Sequence, residues 1–256
     1  MRKIYITFGG SIYDEMTAII VRDGPKFGAD EVWVYDDFWI TQQPFYKQNK
    51  WLWEHPHKRG FGWYAWKPFI IYDALSRLQD GDIILFTDAD CVPITDFSVL
   101  YDICVKDGGT MLFASQGNRH YKWCKRDCYI VMGQDNEKYR DVQAGVARFM
   151  LFQKGHWRNT QFLMEWITYC VNPLATTFDP SILGEELPGF IEHRTEQAIM
   201  TNLAHKYGLK LYREADDAGV QYSEDKDLYP QLFQQINPYQ EKITSDVNKG
   251  SRYRNV

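Results

Sequence analysis

The sequence predicts an α/β domain: a mostly parallel central sheet with helices on both faces. Three observations carry that expectation. Apolar segments of strand length alternate with longer segments of helical period, the pattern of strand–helix–strand units. The alternation meets no Pro/Gly/Ser-rich linker, internal repeat or low-complexity segment, which predicts a single Rossmann-like domain. One apolar run, Ile83 to Phe86, passes straight into Thr87, Asp88, Ala89 and Asp90. Two carboxylates therefore stand where a buried strand ends.

The elements follow in order. KIYITFGG, 3–10, reads as a strand closing on two glycines, YDEMTAIIVRDGPKFG as a helix with a loose end, and EVWVYD as a second strand. QPFYKQNKWLWEH, 43–55, reads as helical. AWKPFIIYDALSRLQDGD predicts a helix with Lys67 and Pro68 at its start, where proline is tolerated. The strand DIILF, the glycine-ended helix DFSVLYDICVKDG and the strand TMLFAS come next. In the second half KWCKRDCYIVMG reads as a short helix and QAGVARFMLFQ as a strand or hairpin. NTQFLMEWITYCV and RTEQAIMTNLAHKYG read as helices, and LKLYRE as a final strand. Residues 1–220 are expected to form the domain. Residues 221–256, polar and dotted with Pro and Tyr, are expected to be an extension that wraps the surface or stays partly disordered.

A chain of 256 residues can bury an ordinary core. Aromatic residues make up 16% of it, a level that suits sites gripping flat, amphipathic ligands such as bases and sugars, or else a Trp-rich core. The net charge of −5 gives no global case for nucleic acid or an anionic membrane, and the basic runs at 57–60 and 251–254 are too short for a polymer footprint. MRKIYITFGG is too short an apolar run for a signal peptide, and no segment approaches the ~20 apolar residues of a transmembrane helix, so a soluble, cytoplasmic protein is expected. Cys124 and Cys128 have no matching Cys or His pair nearby. They and Cys91, Cys104 and Cys170 are expected to be reduced, partly buried thiols rather than zinc ligands.

If the strand stays extended to its end, Asp88 and Asp90 point the same way, towards the C-terminal edge of the sheet where open α/β sheets bind ligands. Paired carboxylates repel, and a hard divalent ion such as Mg²⁺ or Mn²⁺ resolves that repulsion while holding phosphate oxygens. The plainer alternative is a solvated loop in which Asp90 caps the next turn.

FTDADC resembles the DxD motif of glycosyltransferases of the GT-A fold. TFGG at 7–10 is similar to the place where their first strand meets the nucleoside. GFGWYAWKPFII at 60–71 is similar to a G-x-W-x-W-K-P stretch of uncharacterised and capsule-type transferases. QAGVARFMLF at 143–152 resembles the segment lining their sugar pocket, and IEHRTEQAIMTNLA at 191–204 resembles their H-R-x-D-Q segment. The likeness covers roughly residues 3 to 213 in consistent order. It implies a metal-dependent transfer of sugar from a UDP- or GDP-sugar to a glycan or other hydroxyl acceptor, by a hexosyltransferase or related enzyme, with retention at the anomeric carbon. It implies Mn²⁺ or Mg²⁺ on Asp88 and Asp90. Donor contacts fall to Thr7, Phe8, Gly9, Lys67, Asp88, Ala89, Asp90, Gln143, Ala144, Gly145, His193 and Arg194, and catalytic roles to Glu196 and Gln197. Two departures stand out: Glu196 replaces the usual Asp, and the C-terminal His…Gly…Lys-Pro-Trp segment of one retaining family is missing, which leaves a third protein ligand unassigned.

Physical roles accompany the likeness. Lys67, at a helix start that itself favours phosphate, is the candidate cation for a leaving diphosphate, or else merely precedes Pro68. Gly145 permits close approach of a sugar, or marks a bulge. Gly60 and Gly62 could serve as a lid joint or as plain loop glycines. His193 touches diphosphate or is a satisfied core histidine. His55 and His57 are better read as a solvated loop than as a metal pair. Glu196 and Gln197 project about 100° apart on a helix and can flank one pocket, unless Thr195 or Glu196 only caps that helix. Lys249, Arg252 and Arg254 either fold over donor phosphates or solubilise a tail. The rival readings are a haloacid-dehalogenase-type phosphatase using DADCV with the acids of EADDAG at 214–219, a nucleotide-sugar pyrophosphorylase, and a non-catalytic sugar-binding module.

Overall fold

The structure, a computed structural model, describes residues 1–55, 60–222 and 228–237. The basic run at 57–59 with His57, and the tail bearing Lys249, Arg252 and Arg254, lie outside the described residues. The chain opens with β1 (Lys3–Phe8), α1 (Asp14–Asp23), β2 (Glu31–Tyr35) and three short helices, α2 (Asp37–Gln42), α3 (Pro44–Gln48) and α4 (Trp51–Glu54). Helix α5 (Trp66–Ser76) leads to β3 (Ile83–Asp88), a short β4 (Cys91–Pro93), α6 (Ser98–Lys106) and β5 (Thr110–Arg119). Then come α7 (Arg126–Val131), α8 (Glu137–Arg140), β6 (Gln143–Gln153), α9 (Trp157–Cys170) and α10 (Pro173–Thr176). The described chain closes with α11 (Thr195–Lys206), β7 (Leu211–Tyr212), α12 (Asp217–Tyr222) and β8 (Phe233–Gln235).

Six strands form one sheet in the order β2-β1-β3-β6-β5-β7. Only β6 runs against the others, so the sheet is mostly parallel. Side chains alternate across it and divide the core in two. Ile4, Ile6, Ile84 and Phe86 face the layer of α5, α9 and α11, while Tyr5, Ile83 and Leu85 face the layer of α1 and α6. Near-continuous apolar strands are what a sheet covered on both faces requires. The β1–β3 register pairs Phe8 with Asp88, so both strands end together at one edge of the sheet.

Several elements differ in extent from the sequence reading. The expected helix at 43–55 is split, because Asn49 leaves helical geometry (φ −122°) and turns its side-chain amide onto the Phe45 carbonyl, 2.9 Å away. QAGVARFMLFQ is one strand and not a hairpin. LKLYRE shrinks to the two residues of β7, since Arg213 and Glu214 turn into a buried polar cluster. Helix α2 forms where Asp36 accepts the Trp39 N–H at 2.7 Å. Strand β8 pairs antiparallel with β4, and its Phe233 is fully buried, 5.3 Å from Phe97 and 5.3 Å from Phe149. A three-residue strand carries too little pattern to be read in advance. The five cysteines are buried and free. Among the described residues no helix is long and apolar enough to cross a membrane.

Because Phe233 is fully buried in one half of the core, Phe233→Ala should destabilise the protein by about 3–5 kcal/mol in urea denaturation. A variant as stable as wild type would mean that β8 is not part of the folded core.

Candidate active site

At the shared end of β1 and β3 lies a cavity of about 680 Å³, within the size range of small-molecule sites. Phe8, Gly9 and Gly10 line one side, Asp88, Ala89 and Asp90 the floor, and His193 to Gln197 the side contributed by α11. Tyr64, Trp66 and Lys67 enter from α5 and the turn before it.

That turn is strained. Gly60, Gly62, Trp63 and Tyr64 all have positive φ, at 59°, 56°, 57° and 60°. For two aromatic residues the left-handed region costs of order 1–3 kcal/mol each. Packing holds them there. Trp63 is fully buried with its ring edge-on to Phe178 at 5.1 Å, and a Cβ on Gly62 would stand 2.6 Å from the Trp53 indole. The turn aims the first residues of α5 into the cavity. Trp66 stacks on Phe8 at 3.9 Å.

Lys67 is buried, and its Nζ lies 2.8 Å from Asp88 Oδ1 and 3.3 Å from Glu196 Oε1, and donates to the Ala147 carbonyl at 3.1 Å. Burial pulls its pKa down, but Asp88 and Glu196 outweigh burial and hold it above the ordinary value, so the amine is charged. Burial pushes the Asp88 carboxyl up, Lys67 pulls it back and Asp90 pushes it up again, leaving it at about 6. Asp90 accepts from Gln235 Nε2 at 2.9 Å, so β8 reaches the site. Glu196 is buried, with Oε2 accepting from Thr195 Oγ1 and its backbone carbonyl accepting from Trp166 Nε1 at 2.8 Å. Gln197 Oε1 accepts from the Ala147 N–H at 3.4 Å.

Lys67 lines the cavity as expected, with its ammonium engaged by two carboxylates that the fold brings together. His193 is a satisfied core histidine. Its Nε2 donates to the Ala175 carbonyl at 2.8 Å and its Nδ1 accepts from the Lys125 N–H at 3.3 Å. Burial, with Lys125 beside it, drops its pKa to about 3, so it is neutral. Arg194 supplies a half-exposed guanidinium on the cavity wall, stacked over Trp123 at 4.6 Å and paired with Glu192 at 2.8 Å. It is also the residue before α11, and it makes no side-chain cap. The Thr195 hydroxyl and the Glu196 carboxylate bond to each other and not to first-turn N–H groups.

Thr7, Gln143, Ala144 and Gly145 do not line the cavity. Thr7 is buried in the sheet, donating to the Thr87 carbonyl at 2.9 Å. Gln143 Nε2 donates to the Ser115 carbonyl at 2.6 Å. The backbone N–H of Gly145 donates to Thr201 Oγ1, and the place of its missing Cβ is crowded by Met200 and Thr201 of α11, not open to a ligand. The residue of β6 that reaches the site is Ala147, through both its carbonyl and its N–H. Sequence reading also missed Asp37, Phe61 and Phe178 on the wall. The aromatic density of GFGWYAW was a signal for the first turn of this wall; nothing in the sequence singled out Asp37. His55 pairs with Asp179 at 3.3 Å. Asp216 and Glu214 of EADDAG pair with Arg148 and are not cavity residues.

Among the described residues four carboxylates line the cavity, Asp37, Asp88, Asp90 and Glu196, against two cations, Lys67 and Arg194. The described lining therefore holds two more carboxylates than cations. No group of three or more His, Cys, Asp or Glu side chains placed to hold a metal occurs among the described residues.

No protein-family model and no curated protein sequence matches the chain. Among solved structures it is similar to mouse xyloside xylosyltransferase 1 (TM-score 0.49, 8% identity, covering 92% of this chain and 97% of that one). It is also similar to the bifunctional glycosyltransferase WbbM (0.49, 10%, 84% and 39%) and to the glycosyltransferase GlyE of Streptococcus pneumoniae (0.44, 12%, 93% and 55%). The chain thus spans well under two thirds of the last two.

The charge balance has a direct consequence for stability. Asp88 has its pKa raised by folding from 3.8 to about 6, so it favours the folded state below pH 4 and loses that contribution as pH rises through 6. In metal-free buffer Asp88→Asn should therefore gain stability relative to wild type between pH 4 and pH 7, measured by chemical denaturation. A difference that is flat or of opposite sign over that interval would contradict the electrostatics described.

Proposed function

We propose that the cavity binds a nucleoside-diphosphate sugar with Mn²⁺ or Mg²⁺ and transfers the glycosyl group to a hydroxyl of a glycan or similar acceptor. The observation that carries this reading is a ligand-sized cavity at a strand end, whose described lining offers hard oxygen donors and holds two more carboxylates than cations. A diphosphate is anionic and would be repelled from such a cavity. A divalent cation held by Asp88 and Asp90 would cancel that excess and present its own charge to phosphate oxygens, and the donor set suits a hard ion. Once bound, that ion would offset the charge that grows on the leaving diphosphate.

The chain's own groups then divide the work. Lys67 fixes the orientation of Asp88 through its contact with Oδ1 at 2.8 Å. Arg194 presents a guanidinium suited to phosphate oxygens. Phe8, backed by Trp66, offers a flat face to a base or ribose at the other end. A carboxylate has about four acceptor sites, and Lys67 and Thr195 occupy two on Glu196. The remainder suit sugar hydroxyls or the acceptor's proton. Gln197, beside it, lies where its amide can border the sugar. The likeness of 193–197 to H-R-x-D-Q supports retention at the anomeric carbon and transfer of a hexosyl or related group. The likeness of FTDADC to the DxD motif supports the same donor class.

Calorimetry with UDP and with GDP tests the reading. Binding of at least one should require Mn²⁺ or Mg²⁺, and Asp90→Ala should abolish metal-dependent binding and glycosyl transfer alike. Equal affinity in EDTA, or full transfer by Asp90→Ala, would overturn it.

A further inference from the structure

Thr195, on the cavity wall, is with Trp63 and Tyr64 one of three described non-glycine residues with positive φ. Its φ is 42°, in the left-handed region, where a β-branched side chain is a genuine exception. Such a conformation persists only where its surroundings enforce it. Thr195 is buried, and its hydroxyl donates to Glu196 Oε2. Capping does not explain the distortion, since no side chain caps the start of α11.

The contacts around Glu196 indicate what the distortion achieves. Lys67 Nζ comes to 3.3 Å from Oε1. Trp166 anchors the Glu196 carbonyl from the helix layer, and Ala147 anchors the neighbouring Gln197. Were the Thr195 hydroxyl absent, nothing described on Oε2 would stop the carboxylate from turning to face Lys67 with both oxygens. We infer that Thr195 is a positioning residue: its strained backbone sets its hydroxyl on Oε2 and so keeps Glu196 from closing onto Lys67. The inference rests on the reading of the cavity as a glycosyl-transfer site.

Three substitutions separate hydroxyl from backbone. Thr195→Val keeps the branched shape and loses the hydroxyl. Thr195→Gly adopts the observed φ without strain and also loses it. Thr195→Ser keeps the hydroxyl. With the UDP- or GDP-sugar that supports turnover, Thr195→Val and Thr195→Gly should each lower kcat on the order of 10²-fold, as misplacement of a working group does. Calorimetric affinity for the metal–nucleotide should be unchanged, and Thr195→Ser should recover most of kcat. If Thr195→Val does not fold, Thr195→Gly against Thr195→Ser decides the matter. A Thr195→Gly variant with wild-type kcat overturns the positioning role while the cavity reading stands. Wild-type protein that neither binds UDP or GDP with Mn²⁺ nor transfers a glycosyl group overturns the cavity reading and the inference together.

Discussion

The Lys67 ammonium is where the architecture of this protein converges. It lies on Asp88 at the end of β3, on Glu196 in the first turn of α11 and on the Ala147 carbonyl of β6, and it arrives on α5. A buried cation is tolerated only when its partners compensate the lost hydration, and removing one member of such a set costs about 3–5 kcal/mol. Two carboxylates and a carbonyl supply that compensation here. The same charge allows the part-buried Asp88 and the buried Glu196 to stand near one another. Without it the strand end and the helix start would repel, and the cavity between them would not keep its shape.

The residues around Lys67 bear the conformational cost of this arrangement. Trp63, Tyr64 and Thr195, the described non-glycine residues with positive φ, all lie within a few positions of Lys67 or Glu196 in the chain. Strain of this kind gathers where a side chain must be aimed against local preference. Trp63 is enforced by packing from Trp53's side and from Phe178, whereas Thr195 is tied to the carboxylate beside it. The in-register ends of β1 and β3 then set Phe8 next to Asp88, joining an aromatic face to an acidic floor. The described lining that results holds more carboxylates than cations.

Much of this was legible in the chain because the signals are local. The strands of the sheet announce themselves as apolar runs, and the two acids follow one of them without interruption. Lys67 and Pro68 mark a helix start, and Lys67 does enter the cavity. Its partners were not legible, since Glu196 is remote in sequence and only the fold joins them. Gln143, Ala144 and Gly145 drew attention as a motif, but which residue of β6 meets α5 depends on sheet register and bulge, and that residue is Ala147. Positive φ at Trp63 and Tyr64 contradicts every local preference, so no reading of propensity could reach it. Strand β8 was invisible for a different reason: Phe233 acts through tertiary burial, among polar neighbours that carry no period.

The most direct measurement is the anomalous scattering of crystals soaked with Mn²⁺ and UDP or GDP. The charge balance predicts one manganese peak at a coordination distance of about 2.2 Å from carboxylate oxygens of Asp88 and Asp90, with diphosphate oxygens completing the shell. A nucleotide ordered in the cavity without metal, or manganese bound away from both aspartates, would contradict it.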